Sequence, residues 1–127
     1  MLWFGAQGAA VFMPCFHSPD FDLVVDWGEG LIRVQVKTTA FWRDNRWEVS
    51  VCTHGGNQSW TGVVKLLDPS RYDYLFVLAG DGRRWLIPAP VVGGGRAIHL
   101  GGPKYAAFEI DRGEPLPAYL ASLAEPA

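Results

Sequence analysis

Three residues of different chemistry stand within one short stretch, Ser18–Thr39: a carboxylate at Asp22, a carboxamide at Gln35 and an ammonium at Lys37. Asp22 can hold a hard divalent cation, Mg²⁺ or Mn²⁺, through oxygen. Gln35 offers a neutral oxygen ligand, and the Val36 carbonyl can supply another. Lys37 can hold or polarise an attacking water and steady charge on a phosphate. A bound cation lowers the pKa of water and neutralises developing negative charge, so this set is suited to phosphodiester hydrolysis. Residue types alone do not establish it, because an Asp near a strand start and a Lys on an exposed face are common in proteins with no such chemistry. The telling feature is the switch within Val34-Gln35-Val36-Lys37, where two core-type valines flank a Gln and a Lys follows.

Those side chains meet only if the chain turns back between them. Gly28-Glu29 is a Gly-X pair suited to a two-residue hairpin connection. That register pairs Trp27 with Gly30 and Asp26 with Leu31, and sets Asp22 opposite Gln35. Period-two alternation then puts Arg33, Gln35 and Lys37 on one face and Val34 and Val36 on the other. A three-residue loop would slip the pairing and part Asp22 from Gln35.

The elements around this hairpin are mostly strands. Ala9–Cys15, Phe21–Asp26, Leu31–Thr38, Trp47–Thr53, Tyr74–Ala79 and Arg84–Pro88 are β-branched or aromatic runs bounded by turn residues. Later strands are expected over Ala97–Leu100 and Ala107–Ile110. Asp81-Gly82 predicts a tight hairpin. Helix is scarce: the end of one over Met1–Gln7 closed by Gly5 or Gly8, a short one over Val63–Leu67, and a C-terminal one over Leu116–Leu123. The expectation is a single domain, residues 1–127, of α/β class: a mixed central β-sheet with few flanking helices.

The ordered blocks resemble a known family. Phe21-Asp22-Leu23-Val24-Val25-Asp26 followed by Arg33-Val34-Gln35-Val36-Lys37-Thr38 is similar to the PD-(D/E)XK nuclease superfamily, and within it to the branch typified by group I intron homing endonucleases, which has Gln where most relatives have Glu. Gly8–Pro14 resembles the family's helix exit and first strand, and Tyr72–Val77 with Trp85–Pro88 its later core hairpin. The likeness spans roughly residues 5–90. It implies a restriction-endonuclease-like fold, Asp22 as motif aspartate, Gln35 as variant second ligand, Lys37 as motif lysine, Mg²⁺ or Mn²⁺ as cofactor and double-stranded DNA as substrate. The family's longer first helix, with its metal- or water-organising Glu, is not in this chain, whose first helix is truncated. That implies an upstream start, weakened metal binding or lost nuclease activity.

Overall charge does not advertise a nucleic-acid binder, at −2. Between Arg33 and Arg71, however, six basic residues (Arg33, Lys37, Arg43, Arg46, Lys65, Arg71) face three acidic ones (Asp44, Glu48, Asp68), with Trp42, Trp47 and Trp60 interleaved. Basic, aromatic and amide side chains together suit DNA contact. The DNA-binding candidates are Arg33, Thr38, Arg43, Arg46 and Lys65, with Asn57 and Gln58 in the loop Gly55–Trp60. That loop reads equally as a plain hairpin loop anchored by Trp60. His17, His54 and His99 lack metal-ligand spacing, and Asp73 is expected to cap a turn or pair with Lys65 or Arg71. Cys15 and Cys52 are expected to be buried, reduced thiols.

Two further readings stay open: a nuclease-fold DNA- or protein-binding module without turnover, and an all-β interaction domain in which no Asp22–Gln35–Lys37 cluster forms. No apolar run is long enough to cross a bilayer, and the apolar Met1–Pro14 stretch has no basic residues before it, so the expected location is the cytoplasm. A homo-oligomer, dimer or larger, is expected on two grounds. A duplex has two strands to cut, and only Leu2, Trp3 and Phe4 remain to cover the sheet face a longer helix would bury. Trp3, Phe4 or their neighbours are therefore expected at an interface, unless Leu116–Leu123 folds back over the same face.

Overall fold

The computed structural model describes residues 2–16, 21–28, 30–54 and 64–110. Its centre is a six-stranded sheet in the order β1 (Ala10–Phe12), β2 (Leu23–Asp26), β3 (Leu31–Thr39), β8 (Tyr74–Ala79), β9 (Arg84–Pro88), β11 (Glu109–Ile110). Only β3 and β8 run parallel, so the sheet is mixed, as expected. A second sheet, β10 (Ala97–Leu100), β5 (Arg46–Ser50) and β4 (Trp42–Arg43), and a two-stranded ribbon, β6 (Cys52–His54) with β7 (Val64–Leu66), complete the strands. The helices are short: α1 (Leu2–Ala6), α2 (Ala89–Val92) and a 3₁₀ turn over Pro103–Phe108. Among the described residues no helix is long and apolar enough to cross a membrane.

Alternation divides the central strands between two cores. Leu75, Val77 and Ala79 of β8 join Trp85 and Ile87 of β9 on one side, under Val49, Val51, Ile98 and Leu100. Phe76 and Leu86 face the other side with Leu23, Val25, Trp27 and Val34. β8 and β9 are therefore buried on both faces, which accounts for their unbroken apolar runs.

The second core corrects the interface expectation. Trp3 and Phe4 are 7 % and 0 % exposed within this one chain. Phe4 meets Trp3, Trp27 and Phe76 at ring-centroid distances of 5.1, 5.5 and 5.4 Å. One helical turn ended by Gly8, at φ +87°, covers the face with two aromatic rings. Residues 111–127, and with them the Leu116–Leu123 expectation, lie outside the described residues.

Other elements also differ from expectation. Val64–Leu66, read within a helix, is a strand antiparallel to β6, because ladder pairing with Cys52–His54 outweighs the local apolar spacing. The run Trp47–Thr53 is cut at Val51 and shared between two sheets. Ala107 and Phe108 close the 3₁₀ turn opened by Pro103, so the last strand begins at Glu109. Cys15 is exposed and lies beyond β1, which stops short of Pro14, a residue with no N–H for a ladder. Cys52 is half-buried, and both thiols are free.

Candidate active site

The site is built on the β2–β3 hairpin. Its ladder runs Asp26↔Leu31, Val25↔Ile32, Val24↔Arg33 and Leu23↔Val34, the count predicted from the Gly28-Glu29 turn. Gly28 adopts φ +106°, a backbone that side-chain-bearing residues rarely take, and its N–H donates to Asp26 Oδ1 at 2.6 Å. One residue beyond the ladder, the Asp22 N–H still donates to the Val34 carbonyl at 2.8 Å, which carries Asp22 to the side of Gln35.

Asp22 Oδ2 there accepts two hydrogen bonds from β3, one from Gln35 Nε2 and one from the Val36 N–H, each at 2.8 Å. Asp22 is exposed, whereas Gln35 is buried at 6 % and is the one polar residue of that rank among the described residues. The carboxylate thus stands at the sheet surface on an amide pinned from below. Because a strand residue turns its N–H and C=O to the same edge, the Val36 carbonyl faces the Asp22 side too. Lys37 follows Gln35 on the same face and reaches β6, its Nζ donating to the Cys52 carbonyl at 3.5 Å. That length is the outer limit of a hydrogen bond, so the ammonium is weakly held.

Oxygen donors at this point are the Asp22 carboxylate, the Val36 carbonyl and Gln35 Oε1. Gln35 now turns its NH₂ to Asp22, and a half-turn of the amide presents Oε1 instead. Among the described residues no three His, Cys, Asp or Glu side chains are grouped to hold a metal ion, and in the donor set named here the carboxylate is that of Asp22. Such a set fits Mg²⁺, which binds through one or two carboxylates plus water and substrate phosphate.

The DNA-binding candidates are placed unevenly. Arg33 shares the site's face, but its guanidinium is held by Asp73: Nη2 donates to Oδ1 at 3.2 Å, Nε to Oδ2 at 3.3 Å, and Nη2 also to the Ser70 carbonyl at 3.3 Å. Asp73 has the structural role expected, but its ion pair is with Arg33. Burial alone would push the Asp73 carboxyl up; the hydrogen bonds and charge of Arg33 outweigh it and hold the carboxyl below its ordinary value. Sequence reasoning misses this partnership because 40 residues separate the two, and no local pattern links them. Tyr72, the residue before Asp73, has its hydroxyl pushed up to about 12 by burial and stays neutral.

Arg43 and Arg46 flank the turn of an exposed β4–β5 ribbon. Its two central residues, Asp44 and Asn45, have φ of 54° and 62°, as a type I′ hairpin requires. Arg43 pairs with Glu48 at 3.2 Å, and Arg46 Nη1 donates to the Asn45 carbonyl at 2.9 Å. Trp42 is exposed beside them, packed edge-on to Trp47 at 5.0 Å. Thr38 is exposed on β3. Lys65 lies in β7 opposite Thr53; its side chain, like Asn57, Gln58, Trp60 and His17, is outside the described residues. His99 is an exposed surface residue whose Nε2 lies 3.3 Å from Glu48 Oε1.

A mixed sheet that carries an Asp at the head of one strand and Gln-x-Lys on the next defines the restriction-endonuclease-like class. The PD-(D/E)XK endonuclease family matches residues 2–95, about three quarters of the chain, and the chain belongs to that family. Among solved structures it is similar to a bacterial homing endonuclease, I-Ssp6803I, with a TM-score of 0.58 over 94 % of this chain and 75 % of that one at 20 % identity, a likeness of fold. No curated protein matches the chain. The mixed α/β fold and family read from Asp22, Gln35 and Lys37 therefore hold, and the unrelated all-β domain is set aside.

Proposed function

We propose that the chain is a divalent-metal-dependent endonuclease that hydrolyses phosphodiester bonds of double-stranded DNA. The observation that carries this reading is the convergence of the Asp22 carboxylate on Gln35 Nε2 and the Val36 N–H, each at 2.8 Å, with Lys37 next on the same face. Asp22, Gln35 Oε1 and the Val36 carbonyl would hold Mg²⁺ or Mn²⁺. When bound, such an ion supplies a lowered water pKa and offsets charge on the phosphate. Asp22, anchored through Oδ2 and its own N–H, fixes where a phosphate can approach. Lys37 leaves its weak contact with Cys52 and offers its protons to a non-bridging oxygen as negative charge grows there. The half-buried position of that ammonium strengthens the interaction relative to water.

The β4–β5 ribbon, with Arg43 and Arg46 beside exposed Trp42, supports a role in holding the duplex, with Arg33, Thr38, Asn57, Gln58 and Lys65 as further contacts. Two strands to cut call for two sites, so we place the enzyme in a homo-oligomer, and we place it in the cytoplasm. One observation favours a second reading, a nuclease-fold binding module with weak or no turnover: the residue beside Asp22 is a neutral amide, Gln35, that turns its NH₂ to the carboxylate. Incubating supercoiled plasmid with the protein and Mg²⁺ or Mn²⁺, with a chelator control and Asp22→Asn, separates the two. Chelator-sensitive cleavage lost in Asp22→Asn is expected. Duplex binding without cleavage in either metal would establish the second reading.

A further inference from the structure

Asp73 lies at the head of β8, across the sheet from the proposed metal ligands, yet it touches the strand that carries two of the three site residues. Its Oδ2 accepts from the backbone N–H of Arg33 at 2.7 Å and from Arg33 Nε at 3.3 Å, and its Oδ1 from Arg33 Nη2 at 3.2 Å. The Asp73 N–H in turn donates to the Arg33 carbonyl at 2.9 Å. One residue therefore grips another by backbone and side chain at once, one step before the parallel ladder opens at Val34↔Tyr74.

This grip answers a problem the pattern of apolar residues leaves unsolved. The β2–β3 register is dictated by a short turn, but β3 and β8 are joined by 34 residues, 40–73, and no turn sets their relative height. Alternation forbids a slip of one residue, which would exchange the faces, but a slip of two preserves them. Val34 and Val36 would still face one core, and Gln35 and Lys37 the other. Such a slip would set Asp73 level with Leu31 or Gln35, neither of which has a guanidinium to return the contact.

We propose that Asp73 is a positioning residue for the nuclease site: through Arg33 it fixes the height of β3 against β8, and so the height at which the β2–β3 hairpin, carrying Asp22, Gln35 and Lys37 as one unit, stands against the rest of the sheet and against the Cys52 carbonyl that Lys37 reaches. The inference rests on the nuclease reading only for its catalytic consequence. Its structural content is independent, because the backbone N–H groups of Gln35 and Lys37, which face β8 as that of Arg33 does, report the β3–β8 pairing directly.

The test compares the wild-type chain with Asp73→Ala, Asp73→Asn and, as control, Glu109→Ala. The control breaks the Arg83–Glu109 pair, an arginine–carboxylate contact at the far edge of the same sheet. Hydrogen exchange of the Gln35 and Lys37 backbone amides should rise about tenfold or more in both Asp73 variants, while Glu109→Ala leaves both as in wild type. Single-turnover plasmid cleavage should fall about tenfold or more in Asp73→Asn. Should Asp73→Ala fail to fold, Asp73→Asn, which keeps the shape, carries the comparison. Gln35 and Lys37 amide exchange unchanged in Asp73→Asn, or moved equally by Glu109→Ala, would overturn the proposal. A wild-type chain that cuts no DNA while these signals move as expected would keep the latch and defeat the nuclease reading instead.

Discussion

Replacing Gln35 by glutamate tests the contact on which the site is built. Gln35 is buried and gives a proton to Asp22 Oδ2 at 2.8 Å. A carboxylate in its place loses that donor and sets two like charges side by side. Unit charges about 4 Å apart repel by about 4 kcal/mol at an effective dielectric of 20. Asp22 is exposed, and solvent screening roughly halves this to about 2 kcal/mol. Unfolding entropy of about 2.1 cal/mol/K per residue, over 127 residues, turns that into a melting temperature lower by about 7 °C. The introduced carboxyl, buried beside a carboxylate, has a folded pKa above its unfolded value of about 4.3. Stability is then retained below that value and lost as pH rises through the folded one. The variant should match wild type near pH 4 and fall behind by pH 8. A cation bound between the two carboxylates reverses the repulsion, so Mg²⁺ should recover most of the deficit and raise the variant's Tm more than the wild type's. Thermal unfolding followed by circular dichroism at both pH values, with chelator or Mg²⁺, reads all of this. A Gln35→Glu protein as stable as wild type at pH 8 in chelator would show that the two side chains do not share a site.

Three further outcomes follow from the packing and charges. Phe4→Ala should cost about 3–5 kcal/mol in urea unfolding, and the cost should be independent of protein concentration because Phe4 is buried within its own chain; a concentration-dependent cost would return it to an interface. Neutralising Arg43, Arg46 and Lys65 together should weaken duplex binding and flatten the slope of log affinity against log salt by about 0.9 for each phosphate the protein no longer neutralises; unchanged binding would move the DNA surface elsewhere. Asp73, whose carboxyl is held below its ordinary value, contributes stability above the unfolded Asp value that is lost as pH falls through the folded one. Asp73→Asn should therefore lose less stability than wild type on acidification below about pH 4, and identical acid profiles would argue against the ion pair.

How far the site is legible in the sequence depends on whether a local turn or a distant partner sets each contact. Gly28-Glu29 fixes the count from Asp26↔Leu31 outward, so the meeting of Asp22 with Gln35 can be read without a structure. The β3–β8 register cannot, because it depends on a parallel pairing and on Asp73 gripping Arg33 across 40 residues. The Asp44-Asn45 turn is hidden for a different reason: it places two non-glycine residues at positive φ, where Asn-Gly is the usual signal. Val63–Leu67 looks helical because five residues are too few to establish a period, and only β6 makes Val64–Leu66 a strand. Trp3 and Phe4 look too few to cover a sheet face, yet their rings do so with Trp27 and Phe76.

The central claim, that Asp22, Gln35 and Lys37 together cut DNA, is tested most directly by single-turnover cleavage of supercoiled plasmid in Mg²⁺ by the wild-type chain and Lys37→Ala, with duplex affinity measured in Ca²⁺. Lys37 lies outside the cores and contacts β6 through one weak hydrogen bond, so its removal should spare folding and binding. The expected result is cleavage by the wild type and a fall of about a hundredfold or more in Lys37→Ala at nearly unchanged affinity, the size expected when a charge-stabilising group is removed. Equal cleavage by the two proteins would contradict the claim.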